Sequence, residues 1–121
     1  MSKLILAVED ERDNMQILRD MLKSAGYEIV EAGNGEEALA AAGKRRRDLI
    51  LMDIQLPVMD GYEATRRIKA DPALRSIPVI AVTSHALSGG EEKARAAGCD
   101  DFVAKPYSPR QLLAKIREFL P

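Results

Sequence analysis

The stretch Leu49-Ile50-Leu51-Met52-Asp53 places four consecutive apolar residues directly before a carboxylate. A run this short with no polar residue is typical of a strand that is buried on both faces of a sheet. We therefore predict a strand from Leu49 to Met52. Four other short β-type runs predict further strands, at Leu4 to Val8, Tyr27 to Glu31, Val79 to Val82 and Phe102 to Ala104.

Helical patterns fill the intervals between these strands, because apolar residues recur there at a spacing of three to four. The predicted helices run around Leu18 to Ala25 with an end at Gly26, from about Gly35 to Ala42, from Gly61 to Ile68 with an end at Asp71-Pro72, from roughly Gly90 to Ala97, and from Pro109 after the cap Ser108 to Leu120. The fourth has few large apolar residues and is expected to be loosely anchored. Strict alternation of strand and helix predicts an α/β fold, with a parallel sheet covered on both faces.

Length and composition exclude several classes of function. The chain has 121 residues, which predicts one domain over residues 1–121 with no room for an output domain. Its formal net charge of −1 provides no general attraction to nucleic acid or to an anionic membrane. The first apolar run stops at Glu9, too early for a signal peptide or a membrane span, and the single Cys99 excludes an internal disulfide. A cytoplasmic protein is expected.

Polar residues follow four of the predicted strands. They are Glu9-Asp10, Asp53, Thr83-Ser84 and Lys105-Pro106. Ligands of such sheets bind at the carboxyl ends of the strands, so these side chains should share one crevice. Two carboxylates about 4 Å apart repel by roughly 4 kcal/mol at an effective dielectric constant near 20, so the crevice either takes up protons or binds a metal ion. Its oxygen ligands suit Mg²⁺, and a cis Lys105-Pro106 bond would aim Lys105 inward.

The same residues can support phosphoryl transfer. A carboxylate can attack phosphorus to give an acyl phosphate when positive charges neutralise the transferred group. Asp53 is best placed for this attack because it follows the central strand, whereas Glu9 and Asp10 have the character of metal ligands. Lys105 would contribute a point charge to the phosphoryl oxygens, and the Thr83 hydroxyl could donate a hydrogen bond to one of them.

These elements, together with the loop Leu56-Pro57-Val58-Met59-Asp60-Gly61, resemble the receiver domains of two-component response regulators. The resemblance covers the whole chain, and its five separated elements occur in the family's order and spacing. It is closest to stand-alone receivers, such as the chemotaxis and cell-cycle single-domain response regulators. The resemblance implies a flavodoxin-like, doubly wound sheet of five parallel strands in the order 2-1-3-4-5, with five helices.

The resemblance also implies a function. Asp53 would accept a phosphoryl group from a histidine kinase or a histidine phosphotransfer protein. Asp10, Asp53 and the backbone carbonyl of Gln55 would hold Mg²⁺, with Glu9 assisting through water. The protein would be a signalling switch and not an enzyme, although it would catalyse its own phosphorylation, from phosphohistidine or small phosphodonors, and its own dephosphorylation.

The resemblance to receiver domains also implies a conformational switch. The Thr83 hydroxyl would move toward the phosphoryl group while the Phe102 ring turns inward, and Gln55 and His85 would tune the phosphate lifetime. Phe102 lacks the hydroxyl of members with tyrosine there, and Glu9 stands where many members have aspartate. A downstream protein is expected on the face of the fourth helix, fifth strand and fifth helix, and the chain is expected to be a monomer or a weak phosphorylation-dependent dimer.

Other functions remain open at this stage. A phosphatase that works through an aspartyl phosphate usually has a second aspartate two residues after the nucleophile, where this chain has Gln55. A flavin-binding module of similar topology would need a Ser/Thr/Gly-rich phosphate loop after the first strand. A receiver cut from a longer hybrid kinase or regulator is a further alternative, against which the start at Met1 argues mildly.

Three further features favour structural interpretations. A single loop histidine such as His85 is more often solvated or in a surface contact than catalytic. The basic run Lys44-Arg45-Arg46-Arg47 is predicted to be a solvated helix end, and no aromatic residues interleave it to stack nucleic-acid bases. Cys99 is expected to be a small packed residue beside Gly98.

Overall fold

The computed structural model describes residues 3–44, 47–83 and 89–121. The strands are β1 Leu4–Val8, β2 Glu28–Ala32, β3 Leu49–Asp53, β4 Val79–Thr83 and β5 Asp101–Ala104. The helices are α1 Arg12–Ser24, α2 Gly35–Lys44, α3 Gly61–Ala70, α4 Gly90–Ala97 and α5 Pro109–Phe119. Every predicted strand and helix is therefore present, with shifts at the ends. The largest is at α1, which begins at Arg12, six residues before Leu18, and β2 begins at Glu28 and not Tyr27.

The five strands form one parallel sheet in the order β2-β1-β3-β4-β5, which confirms the predicted doubly wound topology. Every residue of β1, β3 and β4 is buried, as expected for inner strands that helices cover on both faces. The edge strands β2 and β5 are only partly buried. β3 lies at the centre, so its terminal Asp53 emerges in the middle of the sheet's carboxyl edge.

Two apolar clusters lie on opposite faces of the sheet. One combines alternate strand residues with buried side chains of α2, α3 and α4, including Ile68 and Ala94. The other combines the remaining strand residues with buried side chains of α1 and α5, including Leu22 and Ile116. The alternation of side chains along each strand thus places α1 and α5 together on one face and the other three helices on the opposite face.

Local capping fixes the helix ends near the site. Asp60 caps α3, and its side chain accepts a hydrogen bond from the Glu63 amide at 2.9 Å. Ser108 and Gln111 form a reciprocal capping box at the start of α5, which confirms the predicted cap. Gly26 follows α1 with φ +92°, a backbone conformation that glycine adopts without steric cost.

The basic run Lys44-Arg45-Arg46-Arg47 differs at Arg47 from its prediction as a solvated helix end. The helix ends at the exposed Lys44, and Arg47 is only 5% exposed. The reason is that Arg47 lies beyond the helix, where the chain turns back toward β3, and its long aliphatic stem can pack along apolar surface. Arg45 and Arg46 lie outside the described residues.

The fourth helix buries only small residues, namely Gly90, Ala94 and Ala97. This is consistent with the sparse apolar pattern of its sequence, and its mobility stays a prediction. Cys99 is buried as predicted, and its Sγ lies 3.8 Å from the Thr65 hydroxyl. Within the described ranges, no helix combines the length and apolar character needed to cross a bilayer.

Candidate functional site

The predicted site residues meet at the carboxyl edge of the sheet. Asp53 is the last residue of β3 and is 4% exposed, while Glu9 follows β1 and is 5% exposed. The Lys105 ammonium follows β5 and lies 3.1 Å from Asp53 Oδ2 and 3.4 Å from Glu9 Oε1. Thr83 is fully buried at the end of the adjacent strand β4. The topology therefore brings one ammonium against two buried carboxylates beside a buried hydroxyl.

Backbone amides hold the other oxygens of these carboxylates. The Gln55 amide donates to Asp53 Oδ1 at 3.1 Å, and the Glu11 amide donates to Glu9 Oε2 at 3.1 Å. Each carboxylate thus has one oxygen bonded to the backbone and the other directed at Lys105. The arrangement fixes the orientation of the Asp53 carboxylate, with Oδ2, the oxygen that contacts Lys105, on the side of the crevice.

Burial and neighbouring charges shift the pKa values of Glu9 and Lys105. Burial raises the pKa of Glu9, the negative charge of Asp53 adds to this effect, and the Glu11 amide and Lys105 oppose it. Burial by itself would lower the pKa of Lys105, but the attraction and hydrogen bonds of Asp53 and Glu9 outweigh it and the pKa is raised. Lys105 is therefore held as an ammonium.

Glu9, Asp10 and Asp53 can act together as ligands of a cation. Each offers a carboxylate oxygen, and the three oxygens lie within 4.8 Å of one another. Their summed charge exceeds that of the single Lys105, and hard carboxylate oxygens suit Mg²⁺ or a similar cation. Asp10 is exposed, so this side of the cluster is open to water. The participation of the Gln55 carbonyl stays a prediction, and the Gln55 side chain is exposed.

Two glycines allow close backbone approaches beside Asp53, and sequence reasoning missed this role. A Cβ on Gly61 would overlap the Asp53 carbonyl oxygen and lie 2.7 Å from Ile54 Cα. A Cβ on Gly35 would lie 2.5 Å from the Met59 carbonyl oxygen. The loop of residues 54–60 is therefore packed tightly between the end of β3 and the starts of α2 and α3. The glycine in the Met59-Asp60-Gly61 motif was the available signal.

Tyr107 is a second neighbour of the site that sequence reasoning missed. It lines a cavity of about 420 Å³ with Glu9, Ile17 and Lys105. Burial raises the pKa of its hydroxyl, so the ring stays neutral over the ordinary range. The peptide bond between Lys105 and Pro106 is cis in the structure. Ser84 and His85 fall outside the described residues.

Phe102 lies on β5 and is half-buried. Its ring centroid is 5.9 Å from the Arg95 guanidinium and 5.9 Å from the Lys115 ammonium. Arg95 also pairs with Glu91 at 3.1 Å, and Lys115 pairs with Asp101 at 3.1 Å. In this state the ring is therefore in contact with cations of both α4 and α5.

The fold and the acidic site define a receiver of two-component signalling. A model of the response regulator receiver domain matches residues 5–117, and the chain belongs to this family. The match favours the signalling switch over the phosphatase and the flavin-binding module.

The relatives include small response regulators of similar length. The polar-differentiation response regulator DivK of Brucella anthropi is 46% identical over 120 residues, which cover 99% of this chain and 98% of the relative. DivK of Brucella ovis is 44% identical over 120 residues, with the same coverage of 99% and 98%.

Solved structures show the same fold. The receiver domain of the sensor histidine kinase PA1611 from Pseudomonas aeruginosa PAO1 is 39% identical with a TM-score of 0.93, and the match covers 99% of this chain and 98% of that one. That crystal structure has a magnesium ion coordinated in its active site cleft. The chemotaxis protein CheY4 of Vibrio cholerae is 30% identical with a TM-score of 0.92, covering 98% and 99% of the two chains.

Proposed function

We propose that this protein is a cytoplasmic single-domain response regulator, with residues 1–121 forming one receiver domain. It accepts a phosphoryl group on Asp53 from a histidine kinase or a histidine phosphotransfer protein and then controls a protein partner. The observation that carries the proposal is the buried Asp53 carboxylate, whose Oδ1 is held by the Gln55 amide and whose Oδ2 lies 3.1 Å from the Lys105 ammonium. This is the environment of an oriented nucleophile beside a positive charge.

The transfer forms one bond and breaks another. An Asp53 carboxylate oxygen attacks phosphorus while the bond from phosphorus to the donor's imidazole nitrogen breaks, and the nitrogen keeps the electron pair. Lys105 places its charge near the phosphoryl oxygens, and the buried Thr83 can donate its hydroxyl hydrogen to one of them. Glu9, Asp10 and Asp53 would hold Mg²⁺, which supplies positive charge for the crowded carboxylates and the incoming oxygens. Gln55 and His85 would tune the lifetime of the product.

The proposal is tested by phosphorylation with a small donor. We expect incubation with acetyl phosphate and Mg²⁺ to add one phosphoryl group per chain, seen by intact-protein mass spectrometry and removed by hydroxylamine. Chelation of the metal by EDTA should reduce the rate to background, because the carboxylate cluster then repels the donor. Continuous release of many phosphates per chain from a monoester would instead indicate a phosphatase.

The Phe102 ring is proposed to report phosphorylation to the face formed by α4, β5 and α5. Each contact of the ring with an exposed cation contributes about 0.5–1 kcal/mol to its present position. A buried phosphoryl group that draws Thr83 toward Asp53 would favour the inward position of the ring. The missing hydroxyl leaves the inward ring without a terminal hydrogen bond, so the cations of Arg95 and Lys115 favour the half-buried resting position of the ring.

Fluorine NMR can follow this ring directly. The chain has two phenylalanines, Phe102 and Phe119, so 4-fluorophenylalanine labelling gives two signals, which Phe119→Leu assigns. We expect beryllofluoride with Mg²⁺ to shift the Phe102 signal and to leave that of Phe119, near the far end of α5, almost unchanged. An unmoved Phe102 signal in protein shown to bind beryllofluoride would rule out the ring as the reporter.

A further inference from the structure

A groove runs between α1 and α5, the two helices that cover the same face of the sheet. Near the site it begins as the cavity of about 420 Å³ beside Ile17 and Tyr107. A second cavity of about 480 Å³ lies further along the same two helices. The residues that line this second part are Asp20, Met21, Ser24, Ala25, Pro109, Leu113 and Arg117. We refer to the two cavities together as the α1–α5 groove.

The walls of the α1–α5 groove combine apolar and polar side chains. Ile17, Met21 and Ala25 recur every four residues along α1 and form one stripe, and Pro109 and Leu113 line the opposite wall on α5. The Ile17 side chain is 55% exposed and, with Val58, is one of the two large apolar side chains that are exposed in the described part of the chain. A continuous apolar stripe beside a groove is a feature of interaction surfaces.

Opposite charges stand on the two walls. Asp20 lies eight residues after the start of α1, and Arg117 lies eight residues after the start of α5. Both helices run from the carboxyl edge of the sheet toward its amino edge, so the two charges lie at a similar height, about 12 Å along their helices. Asp20 accepts a hydrogen bond from the Gln16 side chain, and within the described residues no ion pair joins it to Arg117.

We propose that the α1–α5 groove is an interface at which two copies of this chain pair, with α1 of each protomer against α5 of its partner. A two-fold axis along the groove places Asp20 opposite the partner subunit's Arg117, and Arg117 opposite the partner subunit's Asp20. The same operation covers each apolar stripe with the facing wall. The surface is therefore complementary to itself, as a symmetric dimer interface requires.

The dimer is weak because the surface is small. The groove extends about 12 Å along the helices and about two helix diameters across. The area that it covers is well below the roughly 800 Å² that each partner buries in a standard interface. We therefore expect a dissociation constant of about 0.1 mM or higher. The first cavity is also lined by Glu9 and Lys105 of the site, but the pairing needs no phosphoryl group on Asp53. It therefore goes beyond the proposed function and can be tested on unmodified protein.

Charge reversal gives a specific test by sedimentation velocity. The average mass of the native chain should rise between about 10 µM and about 1 mM. Asp20→Arg and Arg117→Asp should each weaken self-association about tenfold or more, because each homodimer then has two like-charge pairs. An equimolar mixture of the two variants should associate again, since every facing pair in the mixed dimer has opposite signs.

Matched controls are Glu92→Arg and Lys93→Asp on α4, which reverse exposed charges on the opposite face of the sheet. These variants should associate like the native chain, and circular dichroism melts should show that all four variants are folded. A native chain that stays monomeric to about 1 mM would overturn the proposal and would indicate that the groove binds a different protein. The proposal would also be overturned if neither charge reversal weakened self-association, or if the mixture of the two variants did not associate.

Discussion

The variant Asp53→Asn is expected to lose phosphate incorporation from acetyl phosphate, from about one group per chain to background. An amide has the size and planarity of the carboxylate but does not supply the anionic oxygen that attacks phosphorus. The substitution also removes the charge that Lys105 contacts at 3.1 Å. We expect the rate of labelling, followed by intact-protein mass spectrometry, to fall about a hundredfold or more.

A matched control for this variant is Asp60→Asn. Asp60 is a nearby acidic residue at the same edge of the sheet, and its side chain caps α3 by accepting from the Glu63 amide. Asparagine caps helices about as well as aspartate, so the fold should be preserved. Asp60→Asn should be labelled like the native chain. Equal labelling of Asp53→Asn would show that the acceptor is another residue.

Gly61→Ala is expected to lower the free energy of unfolding by about 2–3 kcal/mol. The new Cβ would overlap the Asp53 carbonyl oxygen and approach Ile54 Cα to 2.7 Å, and both neighbours are backbone atoms that cannot rotate away. The end of β3 and the start of α3 would have to separate. Because this shift moves the Asp53 backbone, phosphorylation should slow as well. Urea unfolding with matched labelling assays measures both effects.

Gly43→Ala separates this clash from the general effect of replacing glycine. Gly43 lies in α2, and a Cβ there has nothing within 4 Å. Alanine is the better helix former, so this variant should gain about 0.5–1 kcal/mol. Equal changes in the free energy of unfolding for Gly61→Ala and Gly43→Ala would show that the close approach at Gly61 does not affect stability.

The fold was predictable because its inner strands have the simplest pattern. Helices on both faces bury every residue of β1, β3 and β4, and the strands therefore read as uninterrupted apolar runs such as Leu49 to Met52. The edge strand β2 contains Glu28 and Glu31 on exposed positions, and its predicted start differs by one residue. An edge strand has one neighbour, so its pattern constrains the ends less.

The candidate site was predictable for a topological reason. In a parallel sheet the residues after the strands meet at one edge, so Glu9, Asp53 and Lys105 converge although the chain separates them widely. The orientation of the side chains within the crevice depends on contacts that no sequence pattern encodes. The amides of Gln55 and Glu11, which hold the carboxylates, are examples.

Features that depend on long-range packing were not predictable. Arg47 belongs to a run of four basic residues, which suggested a solvated helix end, yet its side chain is buried after the turn toward β3. The cations beside Phe102 come from two different helices, and their meeting depends on how α4 and α5 pack against β5. The close approach at Gly61 likewise depends on the angle at which α3 leaves the sheet.

The most direct test of Asp53 as the phosphoryl acceptor locates the phosphoryl group on the chain. Borohydride reduces an aspartyl phosphate to homoserine, so treatment of the labelled protein followed by peptide sequencing in the mass spectrometer marks the acceptor. We expect homoserine at position 53 and unmodified side chains at Glu9 and Asp10. Homoserine at position 10, or a stable phosphoryl group on His85 with Asp53 unmodified, would contradict it.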